Sequence, residues 1–376
     1  MPRYDCIVAG VGGMGSAAAY HLARRGQKVL GLERYNIPHD MGSSHGITRI
    51  IRLAYYEHPS YVPLLRRAYE LWRELQSGAP EPLLYITGSI DAGPPDSQVF
   101  AGSKQSCVEH ALPHEVLDSA ELTRRYPGYR LPKEHLALFQ PDGGFLVPER
   151  CIVAHVNGAL EHGAEIHGRE HLTSWEPLAD GVRVRTNRAS YEASKLILST
   201  GAWMPGHAPL LAPCAVPERQ VLVWMQPKRP ELFTPQRFPV FNLTVEEGRW
   251  YGFPVFGVPG FKYGRWHHLE EHIDPDLMDR EAHPRDEKLL RELAERYFPD
   301  AAGPTLSLKA CIFTNTPDEH FILDRHPDHP QVVLASPCSG HGFKFCSVIG
   351  EILADLAQHG SSKHDLALFK LARFQG

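Results

Sequence analysis

Apolar and polar positions change period several times along the chain, and the first change is the sharpest. Residues 6–9 are a continuous apolar run that ends at Gly10, Gly12 and Gly15. Small residues fill 16–19, and a second apolar run closes with the acidic Glu33. The succession predicts strand, glycine turn, helix, strand and acid, the order of a dinucleotide-binding βαβ unit. Gly10 suits the tight turn, Gly12 lets the backbone approach a pyrophosphate, and Gly15 lets the helix pack close to the strand. Helix N–H groups then face the phosphates, and Glu33 accepts from ribose hydroxyls.

Beyond this unit, residues 38–48 are rich in Gly, Ser and His and read as a loop. Val62, Leu65, Ala68, Tyr69, Leu71, Trp72 and Leu75 recur at helical spacing, with Arg and Glu on the other face. Residues 85–93 read as a short strand. Asp118 and Ser119 cap a helical turn that ends before Pro127. A helix runs from Pro148 to about His162, and 195–203 is an apolar strand with Gly201 at its turn. Segments 219–227 and 249–266 are aromatic, Gly- and Pro-punctuated, and predict antiparallel sheet. Residues 287–297 predict an amphipathic helix, and 332–360 a strand, glycine-rich loop and helix.

The expected architecture is α/β: a Rossmann-like nucleotide domain from 1–85, 146–217 and 310–376, and a mostly antiparallel substrate domain from 86–145 and 218–309. At 376 residues the chain can fill two cores. A net charge of −5 gives no nucleic-acid footprint. The seven cysteines, Cys338 among them, show no C-x-x-C spacing, which argues against a disulfide framework and against a metal site. No apolar run is long enough to span a membrane, and the chain enters its first strand directly. These features lead us to expect a cytoplasmic enzyme.

Four later stretches carry a more specific signal: GSSHGITRIIRLAY (42–55), YGFPVFGVPGFKYG (251–264), KACIFTNTPDEHFILD (309–324) and SGHGFKF (339–345). Together with the opening unit, and in this order, they resemble the monomeric sarcosine oxidase and N-methyltryptophan oxidase family. The resemblance implies FAD rather than NAD, held covalently through an 8α-S-cysteinyl link to Cys311. It implies oxidation of a secondary amino acid by O2, giving an imine that hydrolyses to aldehyde plus amine, and H2O2. Lys262 matches the lysine beside the flavin, where an ammonium offsets the negative charge that develops on oxygen. His45 and Arg49 match residues close to the flavin, and Ser43, Thr48, Gly201, Gly340 and Gly342 are implied cofactor contacts. Arg52 and Lys344 match the two cations that hold the substrate carboxylate, for which a guanidinium fork is well shaped. Tyr251 is placed in the substrate pocket, and the family tendency is monomeric.

One departure concerns the substrate. After Lys262 the family often presents a histidine, but here 263–268 reads Tyr-Gly-Arg-Trp-His-His with an extra residue. His267 or His268 serves, or Arg265 or Trp266 replaces the contact. Alternative functions are a flavin dehydrogenase passing electrons to a quinone or carrier, an oxidase of a cyclic imino acid, a nucleotide-binding sensor, and an NAD-dependent reductase.

Overall fold

The computed structural model describes residues 3–336 and 339–374; Cys338 lies outside them. The opening apolar run is the inner strand β1 (Arg3–Ala9) of an eight-stranded sheet. It is flanked by β2 (Val29–Leu32) and by the strand Ser190–Leu198, both parallel to it. Glu165–His167 and Val332–Ser336 extend the parallel set on either side. The hairpin Leu172–Leu178 and Gly181–Thr186, with Ile322–Arg325, adds the antiparallel pairs. Residues 29–32 are buried throughout, as expected of a strand covered on both faces.

Helix α1 (Gly13–Arg24) crosses from β1 to β2 and packs on the helices Pro148–Glu161 and Cys346–His359. A Cβ on Gly15 would stand 1.7 Å from the carbonyl oxygen of Gly10, so the helix meets the turn at a distance only glycine allows.

The second large sheet has the order Thr305–Asn315, Val216–Met225, Phe261–Arg265, Gly248–Phe253, Val240–Val245, Ser89–Gly93, Leu136–Gln140, Glu115–Asp118. All its pairings are antiparallel except Val240–Val245 beside Ser89–Gly93. A small sheet joins Arg49–Ile51 and Leu84–Ile86 to either side of Gly144–Leu146. Among the described residues, no helix is long and apolar enough to cross a membrane.

Several expectations shift. Residues 85–93 are two strands, because Gly88 at φ +76° turns the chain from the small sheet into the large one. The strand expected at 195–203 starts at Ser190 and ends at Leu198, and Gly201 opens a short 3-10 turn. The expected boundary at 310 falls inside Thr305–Asn315, which pairs along its length with Val216–Met225. The helix Gln98–Glu109 was not legible, since its polar and apolar positions do not separate into faces.

One buried ion pair holds the 266–286 segment against the second sheet. Arg219 donates from Nη1 and Nη2 to the two oxygens of Asp286 at 3.0 Å each, and to the carbonyls of Asp279 and Glu281. His268 Nε2 lies 2.8 Å from the same carboxylate, which also accepts the His283 backbone N–H. Both charged side chains are almost wholly buried. Asp286→Ala removes the bidentate partner of buried Arg219 and leaves it the longer Glu271 contact at 3.4 Å, and denaturant unfolding is expected to show a loss approaching about 3 kcal/mol.

Candidate active site

A cavity of about 500 Å³ runs along the edge of the first sheet. Its nucleotide end is walled by Gly10, Gly12, Gly13, Glu33 and Gly201. Gly10 adopts φ +89° and Gly201 φ +55°, and no atom lies within 4 Å of where a Cβ on Gly12 would stand. Gly12 is the N-cap of α1 and offers no side-chain acceptor, so the first helical N–H groups face outward. Glu33, buried, accepts from the Val11 and Tyr35 N–H groups at 2.9 Å each, which fixes the turn while keeping the carboxylate on the cavity wall. Gly15 is not on the wall; its role is the close approach to Gly10.

The far end is walled by Ser43, Ser44, Arg49, Ile312, Phe313, Gly340 and Gly342. Ser43 Oγ on this wall has no hydrogen-bond partner, and neither does the buried Nε2 of the nearby His45, which is not among the residues on the wall. A cavity with a glycine cradle and a bare helix start at one end and an unpartnered hydroxyl on its wall at the other fits FAD.

Arg49 organises this end. It donates to the carbonyl of Ser43 at 2.8 Å and of Thr48 at 3.0 Å, and Nη2 lies 3.6 Å from Cys311 Sγ. Cys311 is buried in mid-strand opposite Gln220. Lys262, on the next strand but one, faces the same loop. Its Nζ donates to the carbonyls of Gly46 (2.7 Å) and Thr48 (2.8 Å) and to Thr48 Oγ1 (2.9 Å), and it lies 4.4 Å from the Phe253 ring centre. Burial, reinforced by Arg49, pushes its pKa down, but three oxygen acceptors need all three N–H donors of an ammonium, so the geometry supports the charged form. Thr48 therefore acts by placing Lys262 and is not among the residues on the cavity wall. Burial, with Arg49 second, lowers the His45 pKa to about 3, so the imidazole is neutral at pH 7. Glu149 is the participant that sequence reading missed. Its carboxylate accepts from the Gly46 and Ile47 N–H groups at 2.7 and 3.1 Å and fixes a loop whose residues 46 and 47 both have positive φ.

The substrate-side residues divide. Lys344, buried, donates to the His341 carbonyl at 2.8 Å and lies 5.2 Å from the Tyr55 ring centre. Burial, partly offset by Glu57, lowers its pKa to about 7. Tyr251 packs with Leu222, Trp224 and Cys311; burial raises its hydroxyl pKa, with a smaller contribution from Cys311.

Arg52 has its guanidinium paired within the protein in this structure. It is 1% exposed, donates to both Glu57 oxygens at 3.0 and 2.8 Å and to the Ala54 carbonyl, and is sandwiched near the Tyr55 and Tyr56 rings. A substrate carboxylate at Arg52 would have to share or displace the buried Glu57 carboxylate that occupies its fork. His267 is likewise committed: Nδ1 lies 2.8 Å from Glu218 and Nε2 3.1 Å from Glu319. Those bonds, Glu218 foremost, raise its pKa to about 9, so it is paired in this structure as a cation between two carboxylates. His268 is bound to Asp286, and Arg265 donates to the His268 carbonyl. Among the described residues no group of three or more His, Cys, Asp or Glu side chains could hold a metal ion.

Known proteins match this architecture over nearly its whole length. The family model described as FAD dependent oxidoreductase matches residues 5–356. The chain is 43% identical to the monomeric sarcosine oxidase of Streptomyces avermitilis, covering 98% of this chain and 97% of that one. It is 36% identical to the N-methyl-L-tryptophan oxidase of Salmonella enteritidis, covering 99% of each. The solved structure of NikD, an amino acid oxidase essential for nikkomycin biosynthesis, superposes with a TM-score of 0.85 at 26% identity over 98% of both chains. With its glycine cradle, Glu33 and the ring-end shell already in place, this chain belongs to the FAD dependent oxidoreductase family, alongside the monomeric sarcosine and N-methyltryptophan oxidases, and its cofactor is FAD.

Proposed function

We propose that the chain oxidises the C–N bond of a secondary, N-methyl amino acid with O2 as acceptor, giving an imine that hydrolyses to aldehyde plus amine, and hydrogen peroxide. The carrying observation is Lys262: a buried cation with three oxygen acceptors, beside the Arg49 and Cys311 pair. The names of the sarcosine and N-methyltryptophan oxidase relatives support the same substrate class. FAD, when bound, supplies the two-electron oxidant. Lys344 holds the substrate carboxylate from a buried position, where a cation is worth more than in water. That positive charge, with the low polarity of the surrounding rings, favours the neutral form of the substrate amine, and no side chain is assigned as base. Lys262 supplies the counter-charge for anionic oxygen species. Arg49 Nη2 lies 3.6 Å from the sulfur of Cys311, which we propose carries the flavin covalently as an 8α-S-cysteinyl thioether. The first sheet, built from 1–85, 146–217 and the C-terminal part, forms the cofactor layer, and the second carries the substrate. The protein is proposed to act as a cytoplasmic monomer on small molecules.

Lys262→Met is expected to lower the rate of reoxidation by O2 about 10²–10³-fold. Anaerobic bleaching of the flavin by sarcosine should change far less, and stopped-flow absorbance separates the two. Equal losses in both half-reactions, or none in either, would sink the oxygen role. In Cys311→Ala, acid precipitation should release the yellow cofactor into the supernatant, whereas the parent protein retains it in the pellet.

Lys344 also sets a pH dependence. Its charge is present below about pH 7 and is lost above. Affinity for a carboxylate without an amine, such as acetate, should therefore fall as pH rises beyond 7, approaching about tenfold per unit. Lys344→Met should bind acetate weakly with a flat profile, and a sloping profile in that variant would contradict the assignment.

A further inference from the structure

The four side chains that the sequence leaves open after Lys262 have distinct fates, and Trp266 is the one that packs directly behind two residues of the cavity wall, Gly340 and Phe313. Its Cη2 lies 2.8 Å from where a Cβ on Gly340 would stand, and the Phe313 ring reaches within 2.6 Å of the same point. Gly340 and Phe313 both line the cavity at its Arg49 end. The indole and the Phe313 ring are 5.4 Å apart, and His341 stacks on the indole at an interplanar angle of 25°. Lys344 donates to the His341 carbonyl, so His341 connects the proposed carboxylate anchor to the indole on which its ring stacks.

The orientation of that indole is fixed from behind. Its Nε1–H donates to Glu319 at 3.3 Å, and the Arg249 guanidinium lies 4.7 Å from its ring centre while donating to the same Glu319 at 2.8 Å. Glu319 is held in turn by His267, whose other nitrogen is tied to Glu218. The only polar atom of the indole thus points toward Glu319, and a carbon edge faces Gly340. Trp266 and Phe313 are each 8% exposed and His341 4%, so the rings already fill this corner.

We infer that Trp266 determines substrate size. With Phe313 it fills the space beside Gly340, where even a Cβ would meet ring carbons at 2.6 and 2.8 Å, restricting the enzyme to compact secondary amino acids and excluding those with aromatic side chains. The absence of a polar atom on this face also disfavours hydrophilic side chains, which would lose their hydration without a partner. This assignment rests on the reading that the chain oxidises secondary amino acids.

The test compares the parent holoenzyme with Trp266→Ala and Trp266→Phe in a peroxide-coupled assay. The ratio of kcat/KM for N-methyltryptophan to that for sarcosine is expected to rise at least tenfold in Trp266→Ala, chiefly through KM, and by an intermediate factor in Trp266→Phe. Binding of phenylacetate relative to acetate, followed by flavin absorption without turnover, should shift the same way. If Trp266→Ala does not fold with FAD bound, Trp266→Phe decides. Ratios within twofold of the parent in the folded variants, or a parent that already prefers N-methyltryptophan, overturn the assignment. A parent that oxidises no secondary amino acid overturns the underlying reading, and the paired carboxylate titrations still report whether Trp266 limits size.

Discussion

Three hydrogen bonds from one ammonium tie the two halves of this molecule together. Lys262 belongs to the second sheet, yet its donors end on the backbone and hydroxyl of residues 46–48, in the loop that follows the nucleotide unit. The same Thr48 carbonyl accepts from Arg49, and Arg49 reaches Cys311 on yet another strand. Glu149, at the start of the helix Pro148–Glu161, holds the amide side of the loop. Carbonyls thus face the lysine and N–H groups face the carboxylate, so the loop backbone lies between opposite charges. In a water-poor interior such contacts are strong only when complete. Displacing the loop would disturb the lysine, the arginine and the cysteine contact together.

How much of this was legible in the sequence depends on how far each partner lies along the chain. Gly10, Gly12, Gly15 and Glu33 act within one βαβ unit, where spacing dictates geometry, and each occupies the place its residue type suggests. The two-sheet architecture was readable for a similar reason, since the apolar runs at 6–9 and 29–32 and the aromatic strands around 219–266 carry their own periodicity. Gly88 was harder: a single positive-φ residue splits what alternation alone reads as one strand.

The site residues show the limit more clearly. An arginine in a motif reads the same whether its carboxylate comes from a ligand or from the protein. For Arg52 the answer is Glu57, five positions away, joined by Asp91 with an oxygen 3.8 Å from Nε. His267 is separated from Glu218 and Glu319 by 49 and 52 positions, and only the folded chain reveals that pairing. Glu149 had no local signal either, because its role is to receive N–H groups from a loop about a hundred residues earlier. Residues that hold other residues are invisible to motif reading for this physical reason: their partners are set by topology.

Helix α1 begins without a side-chain cap, at a glycine that leaves its first N–H groups directed at the cavity. A phosphate group is the natural completion of such a helix start. Anything that binds the folded state alone shifts the folding equilibrium in proportion to the logarithm of its free concentration. The helix packs against two others in the first layer, so this coupling extends well beyond the nucleotide site. The nucleotide contacts made before any covalent link forms therefore stabilise the whole first layer, and folding and cofactor capture are one coupled event.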